Sequence, residues 1–287
     1  MVDRPVIALD VGGSSVKSAL VTADRQIVGS ICVDAIRSAA SAAEILHRLA
    51  TIVAGHLEKI RDVRGIAFAF PGPFDYEQGI CFIQNVGKYE ALYGLNITAS
   101  LKEILGMAGI DVRYRNDGEA AILGEALYGA GIPYSRLLGL TLGTGFGSAF
   151  IAEGRLITQS PDVPLHGWLY SFPYGTQRAD DVFSTRGLLA RLQGLGIHAT
   201  DIASAIQMAD LNNIPLEKTF ASFGADLGEF VQPFVSAFRA DALLITGGIA
   251  ETWDHFAPFV IQSLPVPVVK GILGARAALL GAAALYF

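Results

Sequence analysis

Short apolar runs alternate with polar or glycine-containing turns at the start of the chain. Residues 5–11, 16–22 and 27–33 are three such runs, separated by turns of only a few residues. Apolar runs of this length, bounded by glycine, serine or charged residues, predict strands that fold back on one another. The pattern therefore predicts a meander, followed by another buried strand at residues 65–70.

A different spacing distinguishes residues 41–60. Their apolar side chains recur at intervals of three and four residues, which is the period of a helix with one buried face. Ser41 followed by Glu44 also matches the capping box that often opens a helix. Further along, the pattern predicts a strand at residues 112–115 and a helix at residues 120–128.

The second half of the chain begins in the same way as the first. A strand at residues 138–142 runs into a glycine-rich turn, and a second strand returns at residues 148–152. Such weak repetition over half a chain predicts two similar α/β domains that face each other across a cleft. We expect one domain at residues 1–115, joined by the C-terminal helix 275–287, and a second domain at residues 116–274.

Composition restricts the possible classes of function. Hydrophobic residues make up 52% of the 287 positions and charged residues 17%, which is enough apolar material for two large cores. The net charge of −6, without any cluster of Lys or Arg, argues against nucleic acid as a partner. The longest uncharged stretch, 137–152, is interrupted by Gly, Ser and Thr and does not predict a membrane span.

The sequence also lacks a signal-peptide pattern and the cysteine clusters of a structural zinc site. The N-terminal residues carry no signal-peptide pattern, so we expect a cytoplasmic protein. The two cysteines, Cys32 and Cys81, lack CxxC spacing, so we expect no structural zinc site built from cysteine clusters.

Three glycine-rich turns follow predicted strands and are candidate phosphate-binding loops. Phosphate oxygens require several backbone N–H donors at close range, and glycine lets the backbone approach. One such turn is weak evidence, but three at strand ends are more specific. No GxxxxGK[ST] or GxGxxG sequence is present, which argues against P-loop and dinucleotide-binding folds. The turns contain Gly12, Gly13, Ser14 and Ser15, then Gly143, Thr144 and Gly145, and finally Gly247 and Gly248.

Two aspartates at strand ends are candidates for the chemistry itself. Asp10 ends the first strand, where it either serves Mg²⁺ through water beside phosphates or caps the turn. Asp117 lies between a strand and a helix, where it either takes the proton of an attacking hydroxyl or caps the helix. The residues alone leave both alternatives open.

The order of these segments resembles the ROK family of sugar kinases and repressors, within the actin, hexokinase and Hsp70 ATPase superfamily. The most diagnostic run is Asn116-Asp117-Gly118-Glu119-Ala120-Ala121, followed by Gly124, Glu125 and Gly129. The other resembling segments are Asp10 to Lys17 (first phosphate motif), Phe70-Pro71-Gly72-Pro73 with Asn85 (sugar side), 142–147 with Gly154 (second phosphate motif) and 245–249 (adenosine).

The resemblance implies two ribonuclease-H-like domains of the actin-like ATPase fold, which close over ATP and sugar. It implies that Asp117 is the general base, that Asn116 and Asn85 bind sugar, and that Asp10 serves Mg²⁺. The same resemblance implies that the phosphates and the nucleotide are contacted by Gly12, Gly13, Ser14, Ser15, Lys17, Gly143, Thr144, Gly145, Gly247 and Gly248.

The sugar side departs from the family pattern. Many ROK proteins carry Glu-x-Gly-His and a Cys-rich zinc loop, whereas residues 163–168 read Val-Pro-Leu-His-Gly-Trp and no cysteine follows. His166 either contacts the sugar or has a structural role. Asp180 and Asp181 either replace a Glu that binds the sugar in the family or are solvent-exposed acidic residues of a loop. We therefore expect a zinc-less variant with an altered sugar site.

These observations favour an ATP- and Mg²⁺-dependent, glucokinase-like enzyme that phosphorylates a hexose or hexose derivative at O6. One alternative is a sugar-sensing ROK-type regulator without significant kinase activity. Because the first strand begins by residue 6, we do not expect the DNA-binding helix-turn-helix of ROK-type repressors. Another alternative is a kinase for a β-glucoside, N-acetylmannosamine or fructose, or one that uses polyphosphate. The apolar composition is compatible with a homodimer, since related kinases are often dimers.

Overall fold

The computed structural model describes residues 4–287. This part of the chain divides into two compact units, one running up to Gly124 together with Ala275–Phe287, and the other comprising Glu125–Gly274. Each unit contains one five-stranded sheet, so the α/β class is confirmed. The sequence-based boundary was drawn at residues 115/116, before the helix in which the structural division falls.

The sheet of the first unit combines a meander with parallel strands. Its strands, with a short separate hairpin formed by β5 and β6, are β1 (Val6–Val11), β2 (Ser15–Val21), β3 (Ile27–Ala35), β4 (Gly65–Phe70), β5 (Phe74–Asp75), β6 (Ile80–Cys81) and β7 (Val112–Asn116). The strand order is β3-β2-β1-β4-β7. β1 to β3 are antiparallel, whereas β1, β4 and β7 are parallel, so their carboxyl ends meet at one edge.

The sheet of the second unit repeats this arrangement. Its strands and one short hairpin are β8 (Arg136–Leu142), β9 (Phe146–Ala152), β10 (Arg155–Leu156), β11 (Pro173–Tyr174), β12 (Gln177–Arg178), β13 (Ala242–Thr246) and β14 (Val268–Lys270). The order is β10-β9-β8-β13-β14, with β8 and β9 antiparallel and β13 parallel to both β8 and β14. The turns that follow β8 and β13 are therefore neighbours.

Helices cover the sheets and supply most of the remaining apolar surface of each core. Their bounds are α1 (Ala42–Leu57), α2 (Ile97–Leu105), α3 (Asp117–Tyr128), α4 (Ala179–Phe183), α5 (Thr185–Gln193), α6 (Ile202–Leu211), α7 (Glu217–Phe238), α8 (Trp253–Gln262) and α9 (Arg276–Ala283). The predicted elements did not include α4 to α8. Within the described residues, no helix has both the length and the apolar character required to cross a membrane.

The C-terminal helix α9 packs against α3 at a distance that only glycine permits. A Cβ added at Gly281 would lie 1.8 Å from the carbonyl oxygen of Ala120, and one added at Gly124 would lie 2.0 Å from that of Ala277. Because a side chain at either position would collide with backbone, the contact depends on both glycines. Helix α9 also packs on β1, β2 and β4, and these contacts place the last residues of the chain in the first unit.

Candidate active site

The carboxyl ends of β1, β4 and β7 hold the residues predicted to carry out the chemistry. Asp10 is the penultimate residue of β1, Asn116 ends β7, and Asp117 opens α3. Burial is the main cause that raises the pKa of Asp117, and the charge of Asp10 adds to it, so the two carboxyl groups interact electrostatically. The structure thus brings together residues that are about a hundred positions apart in the sequence.

Asn116, rather than Asp117, caps α3. Its Oδ1 accepts the backbone N–H groups of Gly118 at 3.0 Å and of Glu119 at 3.2 Å. Asp117 Oδ1 accepts the N–H of Gly118 at 2.9 Å, and its residue is half-buried. Because Asn116 already satisfies the first amides of the helix, capping does not account for the Asp117 carboxylate.

Burial raises the pKa of Asp117 above its ordinary value. Lys88 and the N–H of Gly118 oppose this effect by favouring the charged carboxylate, whereas the charge of Asp10 adds to it. A carboxylate whose pKa is raised toward the working pH holds a proton better and is a more effective general base.

Tyr76, which sequence analysis did not identify, holds the amide of Asn116 in place. Asn116 Nδ2 donates to the Tyr76 hydroxyl at 3.0 Å, and this hydroxyl donates to the carbonyl oxygen of Phe70 at 3.2 Å. A Cβ at Gly72 would lie 3.0 Å from the same hydroxyl, so the glycine allows the close approach. One N–H of the Asn116 amide is used here, and the second is available to a ligand.

The first glycine-rich turn presents backbone amides. Gly12 N donates to the carbonyl oxygen of Ser15 at 3.0 Å, which closes the turn. Among residues 4–287, the amides of Gly13 and Ser14 have no protein acceptor, and both residues are exposed. The hydroxyl of Tyr89, which is fully buried, donates to the carbonyl oxygen of Gly12. The turn is therefore held in place by the buried tyrosine, while its free amides belong to exposed residues and are available to a phosphate group.

Asp10 pairs with Lys17 across the β1–β2 hairpin. The two residues are register partners, and Lys17 Nζ lies 3.2 Å from Asp10 Oδ2. Lys17, which the resemblance assigned to the nucleotide, thus neutralises Asp10 in this structure. Mg²⁺ is commonly held by one or two carboxylates together with water and substrate phosphates. The Asp10 side chain, 18% exposed and next to the free amides of the turn, fits that chemistry.

The sugar-side residue Asn85 lies in an exposed segment. Its backbone has a left-handed φ of 58°, and its side chain is exposed. Lys88, three positions further on, is half-buried and lies beside the first turn, where a Cβ at Gly13 would be 3.9 Å from its Cδ. Lys88 was not among the predicted site residues.

In the second unit, helices α4 and α5 fasten the turn that follows β8. Asp180 Oδ1 accepts the backbone N–H of Phe146 at 2.8 Å, and the carbonyl oxygen of Gly143 accepts that of Thr185 at 2.7 Å. A Cβ at Gly145 would lie 3.3 Å from Asp180 Oδ1, so this position has little room for a side chain. The turn is thus held in one conformation from both ends.

A buried hydroxyl and an open cavity lie next to this turn. Within the described chain, Ser184 Oγ is the one buried side-chain polar atom without a hydrogen-bond partner. Leaving such an atom unsatisfied costs about 1–3 kcal/mol, so it is a candidate for contact with water or ligand. The cavity has a volume of about 750 Å³ and is large enough for a nucleoside. Its polar lining comprises Thr144, Thr185, Arg186, Gln193, His198 and Thr200.

The third turn adjoins the second. Gly247 has a φ of 98°, and a Cβ there would lie 2.5 Å from the carbonyl oxygen of Leu142. A Cβ at Gly143 would lie 3.9 Å from the amide nitrogen of Gly248, whereas one at Gly248 would meet no atom within 4 Å. Gly247 is therefore required by the backbone, while Gly248 borders open space.

The acids expected on the sugar side form ion pairs with Arg186. The Arg186 guanidinium lies 3.0 Å from Asp180 Oδ2 and 2.7 Å from Asp181 Oδ1, so Asp180 has partners through both of its oxygens. His166 is exposed, has a left-handed φ of 59° and packs against Trp168 with the two rings tilted by 37° and their centroids 4.7 Å apart. Sugar contact by these three residues stays a prediction.

Comparison with known proteins finds similarity to the ROK family and to several sugar kinases. A sequence model of the ROK family matches residues 6–161. The chain is 26% identical to a glucokinase of Thermotoga maritima over 153 residues, which is 53% of this chain and 46% of the glucokinase. It is 23% identical to an N-acetyl-D-glucosamine kinase of Haemophilus influenzae over 310 residues, with 97% of this chain and 98% of that kinase covered.

The fold is also that of solved kinases. The glucokinase from Parabacteroides distasonis superimposes with a TM-score of 0.79 at 20% identity, covering 99% of this chain and 97% of that structure. At this identity the likeness concerns the fold, and it agrees with the predicted actin-like ATPase fold.

Proposed function

The chain belongs to the ROK family, and on this premise we propose that it is an ATP-dependent sugar kinase with Asp117 as its general base. The observation that carries the proposal is the division of roles at the start of α3. Asn116 caps the helix, which leaves the half-buried Asp117 carboxylate, with its raised pKa, at the edge where Asp10 and the free amides of the first turn also lie.

In the proposed reaction, Asp117 takes the proton of the sugar hydroxyl as the hydroxyl oxygen attacks the terminal phosphorus of ATP. The new O–P bond forms as the bond to the bridging oxygen breaks, and its electron pair leaves with ADP. The remaining N–H of Asn116 orients the acceptor beside the base. General base catalysis of this kind contributes typically about 10²–10⁴-fold.

Phosphate groups bind to backbone amides of the glycine-rich turns. In the first unit, Gly13 and Ser14 offer free amides. In the second unit, Gly143, Thr144 and Gly145 form the phosphate turn, Gly248 borders the open space for the adenosine, and Ser184 Oγ has a donor to spare. Mg²⁺, held by Asp10 through water, would neutralise charge on the phosphates.

We propose a hexose or an N-acetylated hexose, phosphorylated at O6, as the acceptor. The names of the relatives refer to glucose and to N-acetyl-D-glucosamine, which supports this class. The residues that would choose between the two are Asn85, which lies in a segment that resembles the family, and His166 with the Asp180–Asp181 pair, where the chain departs from the family pattern.

A coupled assay of ADP release tests the function. The panel comprises glucose, N-acetylglucosamine, N-acetylmannosamine, fructose and a β-glucoside, with Asp117→Asn as the test variant and Asp254→Asn, an exposed aspartate, as the matched control. We expect Asp117→Asn to lower kcat at least about 10²-fold while ADP binding persists. Near-normal turnover in that variant would refute the mechanism. Silence with every sugar, together with sugar-dependent thermal stabilisation, would instead favour a sensor without kinase activity.

A further inference from the structure

The backbone around Lys88 is fastened directly to the first glycine-rich turn. The next residue, Tyr89, donates its hydroxyl to the carbonyl oxygen of Gly12 and its amide to that of Ser38, the latter at 2.7 Å. Its ring is fully buried, so these bonds hold the segment in place. Lys88 is therefore attached to a rigid point beside the turn, although it lies in an otherwise exposed loop.

The side chain of Lys88 extends along this turn. A Cβ at Gly13 would lie 3.9 Å from Lys88 Cδ, so the stem of the lysine passes over the residue whose amide is free. Burial raises the pKa of Asp117, and the positive charge of Lys88 acts in the opposite direction by favouring the ionised carboxylate. The stem of Lys88 thus lies beside the free amide of Gly13, and its charge is close enough to act on the catalytic carboxylate.

Among residues 4–287, Lys88 differs from Lys17 in having no ion-pair partner. Lys17 is neutralised by Asp10 at 3.2 Å, whereas Lys88 forms no ion pair with a carboxylate of the described chain. A half-buried ammonium group loses part of its hydration, and an anionic ligand would compensate for that loss. The location next to unoccupied backbone donors indicates that this ligand is a phosphate group.

We propose that Lys88 is a second catalytic residue, whose ammonium binds the phosphoryl group while it passes from ATP to the sugar oxygen accepted by Asp117. The step is the one proposed above: the sugar O–H gives its proton to Asp117, the O–P bond forms, and the bridging P–O bond breaks with its electron pair on ADP. Lys88 neutralises charge on the equatorial oxygens of the phosphoryl group. The inference rests on the proposed kinase function.

The test compares Lys88→Met and Lys88→Arg with the control Lys102→Met, which replaces another half-buried lysine of the same unit. Removing one preorganised charged donor lowers kcat by about 10²–10³-fold. We expect a loss in this range for Lys88→Met, partial activity for Lys88→Arg because its planar group keeps the charge with altered geometry, and normal turnover for Lys102→Met. Circular dichroism melting curves verify that each variant folds.

A pair of ligands separates contact with phosphate from any effect through Asp117. AMPPNP, a non-hydrolysable ATP analogue, carries the terminal phosphoryl group, and ADP lacks it. Calorimetric titration of Lys88→Met should show AMPPNP binding weakened roughly tenfold, the effect of one lost charge-assisted hydrogen bond, and ADP binding unchanged.

Three results would overturn the proposal. They are a kcat within threefold of the unsubstituted protein, equal weakening of AMPPNP and ADP, and unchanged AMPPNP binding. Failure of the unsubstituted protein to bind either nucleotide would refute the kinase function itself, and the role of Lys88 with it.

Discussion

Glu125 is a fully buried carboxylate whose role the structure shows to be architectural. Its Oε1 accepts the backbone N–H of Leu273 at 2.7 Å, and its Oε2 accepts that of Ala130 at 3.2 Å. A Cβ at Gly129 would lie 2.1 Å from Oε2, so that glycine makes room for the carboxylate. Glu125 therefore links the end of α3 to the segment that follows β14.

The substitution Glu125→Gln removes one of the two acceptors and changes the side-chain shape very little. The amide nitrogen of glutamine cannot accept a hydrogen bond, so either the Leu273 or the Ala130 N–H is left unsatisfied. An unsatisfied buried donor costs about 1–3 kcal/mol, so we expect a loss of about 2 kcal/mol in the free energy of unfolding of the second unit. For a urea m-value of about 2 kcal/mol per M, the midpoint falls by about 1 M.

Tryptophan fluorescence can follow this unit selectively. The only two tryptophans of the chain, Trp168 and Trp253, both lie within Glu125–Gly274. Glu217→Gln, at an exposed position in the first turn of α7, is the matched control and should change the free energy by less than about 0.5 kcal/mol. A Glu125→Gln midpoint equal to that of the control would refute the assigned role of the two hydrogen bonds.

Two further predictions concern stability. Gly247→Ala should destabilise the second unit by about 2 kcal/mol or more, because the φ of 98° is unfavourable for alanine and the added Cβ would lie 2.5 Å from the Leu142 carbonyl oxygen. Gly248→Ala is the matched control and should be tolerated. Equal unfolding midpoints of the two variants in the fluorescence assay would contradict this prediction. In the first unit, burial lowers the pKa of His56, whose Nε2 lies 2.8 Å from Ser18 Oγ, below the ordinary 6.5. The unfolded state therefore binds more protons, and stability should fall as the pH drops below about 6.5. Thermal melting between about pH 5 and pH 7.5 should show a steeper slope for the natural protein than for His56→Gln, and parallel slopes would argue against the assignment.

Elements with strong local signals were predicted well. The helix expected at residues 41–60 is α1, and Ser41 accepts the N–H of Glu44 as a capping residue should. The second half of the capping box is different, because the Glu44 side chain pairs with Arg37 instead. Helices α4 to α8 were not predicted. For α7 a local pattern was present, since buried residues such as Phe223, Leu227 and Val231 recur at helical spacing, and the prediction missed it.

In the candidate site, too, some residues could be identified from the sequence and others could not. Sequence order identified Asp10, Asp117 and the glycine-rich turns, since residue type and position at a strand end suffice to suggest phosphate chemistry. It did not identify Tyr76 or Lys88, because an ordinary tyrosine and a lone lysine in a loop carry no pattern of their own. Their relevance comes from hydrogen bonding to Asn116 and from the approach to Gly13, respectively.

The sequence by itself therefore determined the family, the α/β class and the identity of the candidate base. Only the tertiary structure decided which of two adjacent residues caps α3. Asn116 and Asp117 are both good helix caps, and their order along the chain does not distinguish them. The distances to the amides of Gly118 and Glu119 do distinguish them, because Asn116 at the end of β7 occupies the capping position. The Asp117 carboxylate is then left as a half-buried group whose pKa is raised by burial.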